Sequence, residues 1–229
     1  MAALTEAAPA TPERILDAAL LSFGTRGYEA TSLADLGAGL GIRKQTILYW
    51  FPSKDALLDA VIDRSAEELA AALEVTLARA GQGWQRVEAV VKKVFRLAAR
   101  RPELLGLLRE MSRLGPPAST RLIDALDPLV SRATGFLAEE MEAGRMRRHD
   151  PRLVLLAAYS MVVGVATEIE VYRAMGEEPT ARSLMRRRRE LLAFLGAALV
   201  PEEGAATGAD AGARPGRQRR ARRLDAGGV

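Results

Sequence analysis

The stretch GIRKQTILYWF, residues 41–51, combines two cations, an amide and three consecutive aromatic residues immediately before a proline. On a helical wheel one arc carries Ile47, Trp50 and Phe51. The opposite arc carries Gln45, Leu48 and Tyr49, with Lys44 beside them. An amide, a cation and a phenol near the N-terminal end of a helix are groups that contact base edges and phosphates in the major groove. The stretch is therefore a candidate DNA recognition helix with Trp50 in the core; the alternative is an ordinary helix with solvated cations and aromatic residues that only pack.

Residues that would support catalysis or metal binding are scarce. The chain has no cysteine and a single histidine, His149, which excludes thiolate zinc sites and histidine-rich metal sites. His149 stands in RMRRHDPR, a polar segment between helices without a nucleophile motif. We expect no cofactor, no metal and no enzymatic activity. An enzyme that uses a C-terminal cavity is kept as a remote alternative.

Charge and hydropathy bear on partners and location. The net charge is +4, but residues 11–55 contain as many acids as bases, so DNA binding there depends on the placement of charges. The most apolar run, residues 153–166, is shorter than the roughly 20 residues that a bilayer requires. The N-terminus lacks the basic and apolar regions of a secretory signal. We expect a cytoplasmic protein with no membrane partner.

Gly and Pro residues divide the chain into segments of helical period, which predicts an all-α fold. The first helix ends near Gly27. Ser32 or Thr31 caps a second helix that ends at Gly41, and a third runs from there to Pro52. Two short helices around a glycine turn, with a third before them, have the spacing of a helix-turn-helix unit.

Longer helices follow this unit. We expect them at about 54–80, 84–101, 103–114, 119–145, 151–175 and 180–199. The predicted domains are a flexible N-terminus at 1–10, a helix-turn-helix DNA-binding domain at 11–58, a larger helical ligand-binding and dimerisation domain at 59–200, and a disordered Arg/Gly/Ala-rich tail at 201–229. The fourth helix joins the two folded parts. The arginines of the tail could add nonspecific DNA affinity, touch anionic lipid or have no effect.

The segment ILDAALLSFGTRGYEATSLADLGAGLGIRKQTILYWFPSKDALL, residues 15–58, resembles the DNA-binding region of the TetR/AcrR family of regulators. The resemblance implies DNA contacts from Thr31, Ser32, Arg43, Lys44, Gln45, Thr46, Leu48, Tyr49 and Lys54. Thr31 or Ser32 would donate to phosphate, and Lys54 would share a phosphate with a helix N-terminus. The family commonly has alanine where this chain has Gly37, so the second helix is expected to be loose. It also differs at Arg43 and Gln45, so base preference cannot be carried over.

Beyond about residue 80 the resemblance is architectural and implies that the last two long helices pair with their copies in a homodimer. Their apolar surfaces are more than one monomer would bury. Leu195 is expected on the shared face, with the interior of its own subunit as the alternative. Large or soft residues on the helices that should enclose the body form the candidate ligand pocket: Trp84, Phe95, Met111, Phe136, Tyr159, Met161, Glu168 and Tyr172. The carboxylate of Glu168 could receive a cationic ligand, or lie at a rim or in a dimer salt bridge.

The sequence therefore predicts a dimeric, ligand-responsive transcriptional regulator. It would act as a repressor on double-stranded DNA with a palindromic operator, and an unknown small-molecule effector would release it. A DNA-binding protein of the same fold without effector sensing is the alternative. The effector, the operator sequence and the sign of regulation are not readable from the chain.

Overall fold

The computed structural model describes residues 11–201 as ten α-helices without a strand in that range. The predicted flexible N-terminus and the tail from residue 202 lie outside the described residues. The helices are α1 (Thr11–Arg26), α2 (Leu33–Leu40), α3 (Lys44–Trp50), α4 (Lys54–Leu77), α5 (Trp84–Arg100), α6 (Pro102–Leu114), α7 (Ala118–Glu142), α8 (Pro151–Thr167), α9 (Ile169–Ala174) and α10 (Ala181–Leu199). The all-α prediction is confirmed.

Capping residues set the ends of the short N-terminal helices. The Ser32 hydroxyl accepts the amide of Asp35 at the start of α2 (3.0 Å), and Gly41 ends this helix in the left-handed region at φ 70°. Helix α3 ends at Trp50, and Phe51 is extended because the following residue is proline. Ser53 then caps α4 through the amide of Ala56. The turn chemistry read from the sequence therefore positions α2 and α3.

The long helix α4 joins the N-terminal helices to the rest of the molecule without interrupting the core. Its buried residues Leu57, Val61 and Ile62 belong to one apolar cluster that extends from Ile15 in α1 to Leu195 in α10. The two predicted domains therefore share a continuous hydrophobic core.

Helices α1 and α6 approach each other at backbone distance. A Cβ atom on Gly106 would lie 2.1 Å from the carbonyl oxygen of Gly24, and one on Gly24 would lie 2.3 Å from the carbonyl oxygen of Glu103. Only glycine fits at such distances. This joint fixes α1 directly against the larger helical body.

Two predictions about the C-terminal helices need correction. The helix predicted at 151–175 is interrupted at Glu168, whose backbone leaves the helical region (ψ 57°) where its carboxylate pairs with Arg109 of α6 at 3.2 Å. Helical periodicity does not reveal this contact between elements. Leu195 is 3% exposed and packs in the chain's own core, so it does not lie on an outward face.

Several large hydrophobic side chains nevertheless lie on the outward face of α8 and α10, beside exposed arginines in the first half of α10. Large hydrophobic side chains exposed on these two helices are Leu153, Leu156, Tyr159, Met185 and Phe194. Exposed large hydrophobic side chains that cluster on one face are typical of protein interaction sites. Within residues 11–201 the helices are too short or too polar to span a membrane.

Candidate nucleic-acid interface

Helix α3 presents polar side chains at its N-terminal end. Arg43 precedes the helix in an extended conformation, and Lys44 and Gln45 begin its first turn. All three side chains are exposed, and neither cation forms an ion pair with another residue between 11 and 201. Tyr49, one turn further, is 80% exposed. These groups form a surface able to donate to phosphates and base edges.

The other face of α3 holds the helix on the core. Ile47 is fully buried, and Leu48 is half-buried against the same cluster. Leu48, predicted as a DNA contact, therefore also has a packing role. Thr46 is half-buried at the first turn.

The prediction that Trp50 is core is wrong, because its side chain is 47% exposed. Its ring meets Tyr49 edge-on, with centroids 5.2 Å apart. The helical wheel gave the wrong face because α3 has only seven residues and ends at Trp50. Phe51 lies beyond the helix and packs on the core, whereas Trp50 does not. Sequence reasoning missed Trp50 as a surface residue. The signal was three consecutive aromatics on a helix too short to bury them all.

The two hydroxyls expected at the start of α2 have different surroundings. Ser32 is exposed at the N-cap, where its hydroxyl accepts the Asp35 amide and donates to the Asp35 carboxylate (2.7 Å), so a phosphate would have to replace that carboxylate as the acceptor. Thr31 is 2% exposed, and its hydroxyl donates to the Gly27 carbonyl (2.8 Å) and lies 2.6 Å from the Ser22 hydroxyl. The prediction of a phosphate contact from the Thr31 side chain is therefore corrected. The hydroxyl is buried, and its hydrogen bonds hold the loop between α1 and α2.

Lys54 lies at the start of α4 above an aromatic ring. Its Nζ is 4.0 Å from the centroid of Tyr28, whose hydroxyl donates to the neighbouring Asp55. Burial raises the pKa of the Tyr28 phenol, and the Asp55 carboxylate raises it further. The phenol therefore stays protonated as a donor, and the ring restricts the flexible lysine stem. This arrangement places a cation at a helix N-terminus, where an anion would also interact with the helix amides.

The body contains an apolar cavity of about 10 Å³ between α4, α5, α6 and α7. A cavity of this volume holds about one water molecule at most. Its walls come from Ser65, Ala66, Leu69, Leu97, Leu104, Leu105, Leu108 and Leu122. The Ser65 hydroxyl is buried without a hydrogen-bond partner among the described residues. None of the eight predicted pocket residues lines this cavity.

Five of the predicted pocket residues are packing residues. Phe95 and Met111 are buried in the main core, and Trp84 and Met161 pack at its edge. Phe136 packs on a smaller cluster near the end of α7. The structure does not bring these side chains together around one space.

The remaining three candidates lie near the surface. Tyr159 is exposed on α8, and the ring of Tyr172 lies 4.0 Å from the guanidinium carbon of Arg187. Glu168 pairs with Arg109 and is only half-buried, which agrees with the rim position rather than with a buried carboxylate. His149 lies on an open groove near the end of α7.

Two family models match the chain: the N-terminal model of the tetR family of bacterial regulatory proteins over residues 15–61, and a tetracyclin repressor-like C-terminal domain over residues 80–167. Together they cover more than half of the chain. The first begins in α1 and ends in α4, so it contains the whole helix-turn-helix surface described above.

Individual relatives agree with these matches. The HTH-type transcriptional repressor ComR of Escherichia coli is 44% identical over 62 residues, 27% of this chain and 30% of that protein. The HTH-type transcriptional regulator RutR of Escherichia coli is 25% identical over 161 residues, 68% of this chain and 74% of that protein.

The fold also matches the structure of AibR in complex with isovaleryl coenzyme A and operator DNA. The TM-score is 0.67 at 18% identity, and the match covers 80% of this chain and 97% of that one. At this identity the match shows the fold alone. With a helix-turn-helix surface and both parts of the chain matched, the chain belongs to the tetR family of DNA-binding transcriptional regulators.

Proposed function

We propose that the chain is a dimeric repressor that binds a palindromic operator and is released by a small-molecule effector. The observation that supports DNA recognition is the polar N-terminal end of α3, which is exposed and makes no ion pair with residues 11–201, while Ile47 on the opposite side of the helix is buried in the core. A recognition helix needs both properties, because base contacts require a fixed backbone and free donors.

Dimerisation is supported by the hydrophobic side chains on the outward face of α8 and α10. Two recognition helices must lie about one helical turn of DNA apart to read a palindrome, and a two-fold interface provides that spacing. Pairing of this face with its copy would bury Phe194 and Leu156, which a single chain leaves exposed.

Release by an effector is supported by the position of the small cavity. It lies against α4, which carries Lys54 at its start, and against α6, which packs on α1. A ligand larger than one water molecule would have to displace these helices to enter, and the displacement would change the spacing of the recognition helices. The Ser65 hydroxyl would offer it a hydrogen bond. The eight residues predicted from sequence remain a second proposal for the effector site.

The test uses DNA enriched by the wild-type protein from a pool of random duplexes. Lys44→Ala and Gln45→Ala should each weaken binding by about 1–3 kcal/mol if the side chain touches a base edge, while circular dichroism and association state stay unchanged. The matched control is Arg96→Ala on the exposed side of α5, which should leave binding unchanged. Unaltered affinity in both α3 variants would refute this recognition surface.

The alternative, a DNA-binding protein of this fold that senses no effector, makes a different prediction. Titration of the protein–DNA complex with a panel of metabolites should release the DNA if the proposed function is right. The cavity volume favours this alternative, since a space of about 10 Å³ holds no ligand without rearrangement.

A further inference from the structure

A polar contact links the helical body to the loop beside Lys54. Glu110 of α6 is buried, and its Oε1 accepts the backbone amide of Tyr28 at 2.7 Å. Two hydrogen bonds from Arg113, each 2.7 Å, hold the carboxylate in place. The contact joins residues 82 positions apart in the chain. It anchors the loop that follows α1 to a helix of the body.

Tyr28 connects this anchor to the N-terminus of α4. Its ring lies against the Lys54 ammonium, its hydroxyl donates to Asp55, and the ring also packs on Phe23 at a centroid distance of 5.4 Å. Glu110 thus fixes the backbone of Tyr28, and the side chain of Tyr28 fixes Lys54. The preceding Gly27 has a φ of 91°, a conformation that favours glycine, and a Cβ there would lie 3.1 Å from Oε1 of Glu110, so the loop passes close to the carboxylate.

We propose that Glu110 is a positioning residue for the phosphate contact of Lys54 and acts through Tyr28. The proposal rests on the proposed function, because it requires Lys54 to contact DNA. A lysine stem has many rotamers, and holding it over a ring reduces the entropy lost when the ammonium meets a phosphate. When Glu110 no longer accepts the Tyr28 amide, the ring and the lysine above it become less fixed.

A double-mutant cycle on Glu110 and Lys54 tests whether the two residues act together. The quantity measured is the affinity for the DNA that the wild-type protein enriched from the random pool. Glu110→Ala should lower affinity about 10-fold, whereas in the Lys54→Met background the same change should have little further effect. Equal losses in both backgrounds would show a merely structural role and overturn the inference. Unchanged affinity of Glu110→Ala would overturn it as well.

Two further variants keep the test decisive. Glu110→Gln retains an acceptor oxygen for the Tyr28 amide and should keep most of the affinity; a loss as large as that of Glu110→Ala contradicts the hydrogen-bond role. If Glu110→Ala fails to fold by circular dichroism, the cycle is run with Tyr28→Leu, which removes the ring under Lys54, and the same criterion decides. A wild-type protein that enriches no DNA refutes the proposed function, whereas enrichment with an additive cycle refutes this inference alone.

Discussion

Two regions of the molecule differ in how completely one chain covers them: the joint between α1 and α6, and the outward face of α8 and α10. The joint is closed: two glycines bring the backbones together, and Glu110 anchors the adjoining loop. The outward face is open, with Phe194 61% exposed beside the buried Leu195. The closed joint fixes α1 relative to α6 within one chain. The hydrophobic side chains of the open face would be buried only if a partner covered them.

The largest effect is expected when the closed joint is forced apart. In Gly106→Ala the new methyl would meet the Gly24 carbonyl oxygen at 2.1 Å, and no rotamer can relieve a clash with backbone. The free energy of unfolding should fall by about 3 kcal/mol or more, measured by urea denaturation. Gly135→Ala in α7, where nothing lies within 4 Å of the new atom, is the control and should be neutral or slightly stabilising. Equal stability of the two variants would show that the joint is not closed.

The open face is tested by a pair of neighbouring residues on α10. Phe194→Glu should weaken association about 100-fold or more because the charge would be buried at the proposed dimer interface, while the monomer stays folded. Sedimentation across a concentration series measures this change. Leu195→Glu is the matched control and should unfold the monomer, since that side chain lies in the chain's own core. A wild-type protein that stays monomeric at micromolar concentration would contradict the dimer.

Acid should affect the closed joint through Glu110. The hydrogen bonds from Arg113 lower the pKa of Glu110, and the Tyr28 amide lowers it further. A carboxyl whose pKa is depressed on folding stabilises the fold above its unfolded pKa of about 4.3. That contribution is lost as the pH falls through the lower, folded pKa. Chemical denaturation as a function of pH should therefore show less loss of stability in this acid range for Glu110→Gln than for wild type. Parallel curves would contradict the assignment.

The smallest effect is expected at the two glycines of α2. They differ, like Gly106 and Gly135, in whether the fold leaves room for a Cβ atom. A Cβ on Gly37 would meet the Ile42 carbonyl oxygen at 2.8 Å, whereas one on Gly39 would meet nothing within 4 Å. Gly39→Ala should stabilise the protein by about 0.5–1 kcal/mol, and Gly37→Ala should destabilise it. Thermal unfolding of the two variants compares them directly. If both stabilise, the turn after α2 is not tightly packed.

This pair also corrects the interpretation of α2 as loose. From the sequence, Gly37 is only a helix-weakening residue, because propensity describes an isolated helix. In the fold it is buried, and its carbonyl accepts the amide of Ile42 at 2.9 Å. The close approach of the turn requires a residue without a side chain. Sequence patterns found the glycine but could not distinguish weakness from contact.

The caps and turns around α2 and α3 could be predicted from the sequence better than the lining of a cavity. Ser32, Gly41 and Ser53 act through bonds to residues a few positions away, so their roles are local and readable. The pocket residues were chosen for size and softness, properties that core residues share. Met111 and Phe95 satisfy the pattern and lie in the core. A cavity is the space that several packed helices leave unfilled, so the residue pattern of one helix does not reveal it.

By itself, the sequence determined the all-α class, the turn chemistry that sets α2 and α3, and the exposed polar residues at the start of α3. Each depends on propensity, capping or periodicity over a few residues. Only the tertiary structure decided that Thr31 is buried, that Trp50 is exposed and that Glu110 holds the amide of Tyr28. These outcomes depend on which distant helix packs against each residue, because burial and hydrogen bonding at long range are properties of contacts between elements rather than of local sequence.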